Sequence, residues 1–338
     1  MSKQFFNILK YILFLALGGF IFWFIYRKQD PRQIIGAFRE VNYFWIFMSL
    51  VFSVLSIVSR AVRWQLLIKS IGHKTRFVNV FLSCYVLYLV NLFVPRAGEV
   101  ARCALVSGSD NVPFAKLVGT MLVERLADFV MLVVLAVIIF TWNISTIRMF
   151  FDTHPEMTQK IEAILSTRNI ILIGILGMLM LAGLVYLWRK RRARAAKKES
   201  LWSKLKEGIY SIAQLDNKWT FIGHTAFIYL MWLAMLYVVF LAYGPTAHLS
   251  IRTGMVTFLM GGLAMLAPIQ GGIGPWHFMV YQTLFIYAIP IEQGKIFAFI
   301  AHTTTNLVYI VLGAIALIVL FLINSGKISL SGKAALKK

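Results

Sequence analysis

Charged side chains interrupt a very apolar sequence in a proline-containing stretch at residues 91–102. The stretch reads Asn-Leu-Phe-Val-Pro-Arg-Ala-Gly-Glu-Val-Ala-Arg. Because Pro95 lacks an N–H group but fits the first turn of a helix, the sequence predicts a helix, a break, and a second helix that begins at Pro95. In that second helix Arg96, Glu99 and Arg102 recur every three residues, which puts them on roughly one face. The positive start of this helix, reinforced by Arg96, would attract an anion.

A second broken stretch lies at residues 266–277 and reads Leu-Ala-Pro-Ile-Gln-Gly-Gly-Ile-Gly-Pro-Trp-His. Its glycines would let backbone amides approach a ligand closely, and Pro275 would begin another helix. Two broken helices in corresponding places of two half-chains are typical of a transporter's binding site. We therefore expect one site in the middle of the membrane for a negatively charged group, with a lipid phosphate as the obvious ligand. The residues expected there from this stretch are Gln270, Gly271, Gly272, Gly274 and His277, and the expected breaks are at Asn91, Pro95, Pro268 and Pro275.

Glu124, Arg125 and Asp128 lie inside a further apolar run, at about residues 114–140. One interpretation is an ion pair within the helix, because Arg125 and Asp128 are three residues apart. A charge at the centre of a bilayer costs about 2.5–3.5 kcal/mol, which favours pairing with Arg96 or Arg102, or a water-filled cavity, and a part in the site. The alternative for Arg96, Glu99 and Arg102 is that they pair with one another while Arg102 reaches the interface.

Other polar residues are secondary candidates. Arg60 and Arg63 are expected at a helix end, where snorkelling to the interface is easy. His277 could titrate or contact substrate, or it could be a hydrogen-bonded structural histidine. His302 and Asn306 are expected to supply hydrogen bonds between helices.

The composition is that of a multi-pass all-α membrane protein. Hydrophobic residues make up 59% of the 338 residues, charged residues 14%, and the mean hydropathy is +0.77. The net charge of +21 is concentrated in short loops and tails, which fits the positive-inside rule rather than nucleic-acid binding. The two cysteines, Cys84 and Cys103, form no metal-binding or disulfide pattern. Nucleotide-binding and catalytic motifs are missing from the sequence, so we expect no cofactor, no metal and no enzymatic activity.

The order of apolar and basic segments predicts the topology. The basic segments at 60–76 and 189–218 and the lysine-containing tail all favour the cytoplasm. They agree if 77–108 enters and leaves from the cytoplasm as a re-entrant hairpin and 253–290 does so from outside. The prediction is about six full spans with two oppositely oriented hairpins, an inverted repeat, and cytoplasmic N- and C-termini.

This topology divides the chain into five parts. They are a first transmembrane helix with an interfacial segment (1–43), a first helix-hairpin-helix repeat (44–140), an outer loop with a fifth helix at about 170–188 and a basic cytoplasmic loop (141–220), a second helix-hairpin-helix repeat (221–323), and a basic cytoplasmic tail (324–338).

Four motifs in order resemble the flippase-like membrane domain of lysylphosphatidylglycerol synthases, a family that includes stand-alone members. They are Arg60-Ala-Val-Arg-Trp-Gln-Leu-Leu, Val94-Pro-Arg-Ala-Gly-Glu-Val-Ala-Arg102, Glu124-Arg-Leu-Ala-Asp128 and Pro268-Ile-Gln-Gly-Gly-Ile-Gly274. The resemblance covers about residues 10–323 and implies a plasma-membrane protein that moves an anionic or aminoacylated lipid between leaflets. The sequence departs from the family in two ways. The aminoacyl-transferase domain of the synthase is not found in it, so lipid aminoacylation is not expected. His277 also stands where the family often has an acidic residue.

Three functions remain open at this point. The leading hypothesis is lipid translocation, in which Arg96 and Arg102 bind the headgroup anion while Glu99, Glu124 and Asp128 position those arginines or carry protons. The second is a membrane-embedded enzyme acting on a lipid headgroup through His277 or Glu124. The third is a non-transporting assembly partner that docks through the basic loop at 189–218. Expected partners are membrane lipids, a second copy of the chain, and a lipid-modifying enzyme acting in trans.

Overall fold

The computed structural model describes residues 20, 23–27, 30–143, 210–212, 214–267 and 269–324. The chain forms two units, one of residues 1–139 and 205–338 and one of residues 140–204. The second unit is described only at residues 140–143. The predicted fifth helix, most of the predicted first helix, most of the basic loop at 189–218, Pro268 and the basic tail lie outside the described residues.

The described ranges form helices and turns and contain no strand, which confirms the predicted all-α fold. Nine α-helices are described, namely α1 (Pro31–Glu40), α2 (Tyr43–Ser70), α3 (Phe77–Phe93), α4 (Ala97–Asp110), α5 (Phe114–Trp142), α6 (Lys218–Ala242), α7 (Ile251–Ala264), α8 (Pro275–Ile286) and α9 (Ile291–Asn324). Short 3-10 turns occur at Tyr210–Ile212, Gly244–Thr246 and Gln270–Gly272.

Three of the described helices, α2, α6 and α9, are both long enough and apolar enough to cross a membrane. Helix α5 has 29 residues, which at 1.5 Å per residue gives about 43 Å. Its first half, however, carries Lys116, Glu124, Arg125 and Asp128. The described residues thus contain three clear spans, and the expected number of about six stays a prediction.

Helix α1 lies within residues 1–43, where the sequence predicts an interfacial segment after the first transmembrane helix. Asp30 caps it by accepting a hydrogen bond from the Arg32 N–H at 2.8 Å, and a proline occupies its first turn. Its apolar side places Ala37 and Val41 in a core cluster with α6, α8 and α9. Helix α1 therefore packs on the helical bundle through one face.

Helices α3 and α4 form an antiparallel pair, which we call hairpin A. At its open end Asn79 Nδ2 donates to Asp110 Oδ1 at 3.0 Å, and at its closed end lies the first break. Helices α7 and α8 form the second pair, hairpin B, which is closed by the glycine-rich turn.

The two halves of the chain exchange packing partners. Helix α2 lies along α6, and α3 packs against α9. Gly313 of α9 allows that second contact, because a Cβ there would lie 2.7 Å from Leu89 Cβ. Helix α5 in turn shares an apolar cluster with α7, formed by Ile139, Met255 and Leu259. Each hairpin's first helix thus packs against the last helix of the other half.

Candidate functional site

The first break lies at Val94, Pro95 and Arg96. Helix α3 ends at Phe93 and α4 begins at Ala97, so the helix starts two residues later than the position predicted from Pro95. Arg96 precedes this helix in a left-handed conformation with φ of 61°, which few residues other than glycine adopt easily. The expected common face of Arg96, Glu99 and Arg102 is therefore wrong for Arg96, because Arg96 is not part of the helix.

Asn91 and Gly98 hold the start of α4 against α3. The Gly98 N–H donates to Asn91 Oδ1 at 2.8 Å, and the Ala97 N–H donates to the Val94 carbonyl at 3.2 Å. A Cβ on Gly98 would lie 2.0 Å from the Leu87 carbonyl oxygen, so only glycine fits this close approach. Both of these amides therefore already have acceptors and are not open to an anion.

The second break is a glycine turn followed by α8. Gly271, Gly272 and Gly274 all have positive φ angles, and Pro275 begins α8 as predicted. The Gly272 N–H donates to the Ile269 carbonyl at 3.2 Å, and the Ile273 N–H donates to the Gln270 carbonyl at 3.0 Å. These amides bond within the turn, so it does not present the expected row of open donors.

Two buried histidines fasten the glycine turn to α9. His302 Nε2 lies 2.8 Å from the Gly271 carbonyl oxygen. Because a carbonyl only accepts, Nε2 carries the proton, and Nδ1 accepts from Asn306 Nδ2 at 2.9 Å. His302 therefore bonds to another segment, as predicted, whereas the bond of Asn306 lies within α9 and orients the His302 ring. His277 is buried, its Nδ1 accepts from the Gly274 N–H at 3.4 Å, and its ring centre lies 4.4 Å from that of His302.

The two breaks meet. Arg96 Nη2 donates to the Leu266 carbonyl oxygen at 3.0 Å, which joins the end of hairpin A to the residues after α7. Leu92 lies against the glycine turn, since a Cβ on Gly271 would be 3.0 Å from Leu92 Cδ2. The two breaks, distant in sequence, thus form one junction.

A cluster of buried charges lies among α2, α4 and α5. Arg60 and Arg63 of α2 are 2% and 0% exposed, so the expected snorkelling at a helix end is wrong. They lie inside a 28-residue helix and face Glu124 of α5, whose Oε1 is 3.2 Å from Arg60 Nε and 2.8 Å from Arg63 Nη2. A buried carboxylate opposite these positions makes it favourable for the arginines to remain inside.

Glu124 also pairs with a third arginine, Arg102 of α4. Arg102 is fully buried, and its guanidinium lies 4.2 Å from the centre of the Trp64 ring, a cation–π contact. This result corrects the alternative in which Arg102 reaches the interface, and it agrees with the predicted pairing of Glu124 with Arg102. One carboxylate thus holds guanidinium groups from two helices, and its ion pairs offset the cost of taking these charges out of water.

The charges continue from Glu124 towards the first break. Asp128 Oδ1 lies 2.8 Å from Arg63 Nη1, and Asp128 Oδ2 lies 2.9 Å from Arg125 Nη2, the pair predicted within one helix. Arg125 Nη1 lies 3.8 Å from Glu99 Oε1. Asn91 Nδ2 donates to Glu99 Oε2 at 3.4 Å. We name the whole set the arginine–carboxylate cluster; it consists of Arg60, Arg63, Glu99, Arg102, Glu124, Arg125 and Asp128.

Several contributors were not predicted from the sequence. Tyr88 accepts a hydrogen bond from Arg60, and Thr225 of α6 accepts one from Arg63 Nη1 at 3.1 Å. Tyrosine and threonine are common on apolar helices, so no sequence signal distinguished them. The pairing of Arg60 and Arg63 with carboxylates could have been predicted from the spacing of the charges. Two cations three residues apart on one apolar helix match two carboxylates four residues apart, Glu124 and Asp128, on another.

Comparison with known proteins assigns the family. The model of a family described as the lysylphosphatidylglycerol synthase TM region matches residues 9–313. The chain belongs to this family. The UPF0104 membrane protein MJ1595 of Methanocaldococcus jannaschii is 24% identical to this chain over 124 residues. That alignment covers 36% of this chain and 34% of the relative, so the match spans about a third of the relative's length.

The family assignment confirms the resemblance drawn from the four motifs. The residues that the family model matches, 9–313, contain both breaks and the whole arginine–carboxylate cluster. Together with the apolar helices α2, α6 and α9, it identifies the chain as a membrane protein.

Proposed function

We propose that this protein moves an anionic or aminoacylated phospholipid between the two leaflets of a plasma membrane. The observation that carries the proposal is the junction of the two breaks, where Arg96 donates to the Leu266 carbonyl oxygen. Discontinuous helices whose breaks meet are the usual setting of a transporter's substrate site. Family membership supports a membrane role, and the lipid substrate is our inference from the chemistry of the cluster.

The packing supports an inverted repeat. The pairing of α3 with α9 and of α5 with α7 is the exchange that a two-fold axis in the membrane plane would produce. In this proposal hairpins A and B are re-entrant from opposite leaflets, about six helices span the bilayer, and both termini are cytoplasmic.

The arginine–carboxylate cluster supports a polar headgroup as substrate. Ionisable groups inside a membrane are expensive and mark substrate pathways. The cluster holds four arginines against three carboxylates and therefore carries a net positive charge. That positive charge would attract an anionic headgroup.

The proposed site combines this cluster with the junction. In addition to the seven residues of the cluster, it includes Asn91, Pro95, Arg96, Pro268, Gln270, Gly271, Gly272, Gly274, Pro275 and His277, with His302 and Asn306 holding the turn.

Leaflet exchange in liposomes tests the proposal. Full-length protein is reconstituted with fluorescent phosphatidylglycerol, lysyl-phosphatidylglycerol or phosphatidylethanolamine, and outer-leaflet label is bleached with dithionite. We expect bleaching beyond the outer-leaflet fraction for an anionic or aminoacylated lipid. We also expect Arg102→Gln to lose it, because Arg102 is fully buried at the cluster's centre. Wild-type exchange no faster than in protein-free liposomes for every lipid would contradict the proposal, and chemically altered lipid would instead indicate a headgroup enzyme.

A further inference from the structure

The arginine–carboxylate cluster becomes weaker and more accessible towards Glu99. Glu124 is fully buried and pairs with three arginines, and Asp128 has two ion pairs at 2.8 and 2.9 Å. Glu99 lies 3.8 Å from Arg125 and 3.4 Å from Asn91 Nδ2. The side chains of Glu99 and Arg125 are also 14% and 37% exposed. Glu99 is therefore the carboxylate of the cluster that separates most easily from its arginine partner, Arg125.

Arg125 is anchored at one nitrogen and has donors to spare at the others. Its Nη2 pairs with Asp128 at 2.9 Å, whereas its Nη1 lies beyond hydrogen-bond distance of Glu99. Among the described residues, its Nε has no hydrogen-bond acceptor. Deeper in the cluster the same holds for Nη2 of Arg60. Guanidinium donors left open beside a weakly held carboxylate suit a stronger anionic acceptor.

We propose that Glu99 is a placeholder, and that its carboxylate occupies the position at Arg125 that the phosphodiester of a lipid headgroup takes during transport. This inference rests on the proposed function and specifies the substrate chemistry and the entry point of the same site. Within the cluster Arg125 is the first cation that the headgroup meets, because it is the most exposed of the four arginines there.

The exchange conserves charge. A phosphodiester and a carboxylate each carry one negative charge, so the cluster keeps the same net charge when one replaces the other. The released Glu99 is not stranded, because it lies in the first turn of α4, where the helix dipole favours a negative charge. The phosphodiester gains charge-assisted hydrogen bonds from a guanidinium that the fold already holds in place.

Two single substitutions with opposite expected effects test the placeholder. Phosphatidylglycerol is titrated into purified full-length protein in dodecyl maltoside, and its Kd is measured by native mass spectrometry. Glu99→Gln removes the competing charge and should tighten binding about 2- to 5-fold, as expected for a partly exposed ion pair. Arg125→Gln removes the donors and should weaken binding about 10- to 100-fold. Arg125→Lys keeps the charge and should restore part of the loss.

Exposed residues supply matched controls. Glu292→Gln and Arg39→Gln make the same chemical changes at exposed positions and should leave the Kd unchanged. Diacylglycerol with the same acyl chains tests the need for phosphate and should not bind at this site. Loss of affinity in both Glu99→Gln and Arg125→Gln, with helical circular dichroism preserved, would indicate a purely structural ion pair and overturn the proposal. An unchanged Kd in Glu99→Gln would overturn it too.

The source of the phosphodiester is a separate arm of the same experiment. Soluble glycerophosphoglycerol has the headgroup without acyl chains and should displace phosphatidylglycerol only poorly. Equal displacement by the soluble compound would overturn the lipid assignment. The placeholder proposal and the transport proposal can be refuted independently. Opposite Kd shifts without exchange in liposomes would retain the placeholder and refute transport, whereas exchange with parallel Kd shifts would refute the placeholder alone.

Discussion

Glu124 is the residue on which the charged interior depends. It lies between Arg60, Arg63 and Arg102, and its side chain has no exposed surface. Burying an ion is costly, and its partners offset that cost only while all of them are present. Removing this one carboxylate would leave three buried cations with a single remaining counterion, Asp128, beside Arg63.

We expect Glu124→Gln, which keeps the size and shape of the side chain, to lower the free energy of unfolding by about 3–5 kcal/mol. Denaturant unfolding in detergent micelles, followed by circular dichroism, measures this change. Lys69→Gln is the control, because the Lys69–Asp216 ion pair is 3.4 Å long with side chains 68% and 85% exposed. That pair should contribute at most about 1 kcal/mol. Equal effects of the two substitutions would show that Glu124 does not hold the cluster together.

At the scale of elements, hairpin A depends on how closely α4 approaches α3. Gly98 packs directly against the Leu87 carbonyl, and the Asn91 side chain bonds to the Gly98 amide. This approach sets the position of Glu99, in the same first turn of α4, and of Arg102, one turn later. A small residue at one point of the hairpin thus determines whether charges on α4 reach those on α5.

We expect Gly98→Ala to destabilise the protein by about 1–3 kcal/mol, because the new Cβ overlaps backbone atoms that cannot move aside easily. Gly108→Ala in the same helix is the matched control, since a Cβ there meets no atom within 4 Å. That control should be neutral or should stabilise by about 0.5–1 kcal/mol through the better helix propensity of alanine. The measurement is the midpoint of denaturant unfolding for both variants. A Gly98→Ala protein as stable as Gly108→Ala would refute the close-packing explanation.

At the scale of the whole molecule, the exchanged packing of the two halves has a consequence for topology. If the halves are inverted repeats, the loop before hairpin A and the loops flanking hairpin B face opposite sides of the membrane. In that topology the first loop, residues 71–76, is expected in the cytoplasm, because it carries positively charged residues.

We expect Lys74→Cys to react with a membrane-impermeant maleimide only in inverted vesicles. His248→Cys, in the loop before α7, and Glu292→Cys, in the first turn of α9, should react in intact cells, because both positions would face outward. All three positions are exposed, and the native Cys84 and Cys103 are buried, so background labelling should be low. Labelling of all three cysteines from one side would contradict the inverted repeat.

The sequence alone predicted most of the helices of the described part of the chain. A long apolar segment in a bilayer must pair its backbone N–H and C=O groups within itself, and a helix does so. Pro275 also marked the start of a helix correctly. The same local reasoning misplaced the start of α4, because Pro95 and Arg96 form a turn that precedes it. It also treated Asn91 as part of a break, whereas its side chain caps the next helix.

Composition and motif order by themselves determined that this is an all-α membrane protein of its family, because hydropathy and helix signals are local properties of the chain. Only the tertiary structure decided which charges meet. Arg60 and Arg63 appeared to be an interfacial pair until α5 placed Glu124 opposite them, and the open amides expected at both breaks were taken up by Asn91 and by the glycine turn. The physical reason is that a buried charge or amide acquires its role from partners far away in sequence, and packing alone selects those partners.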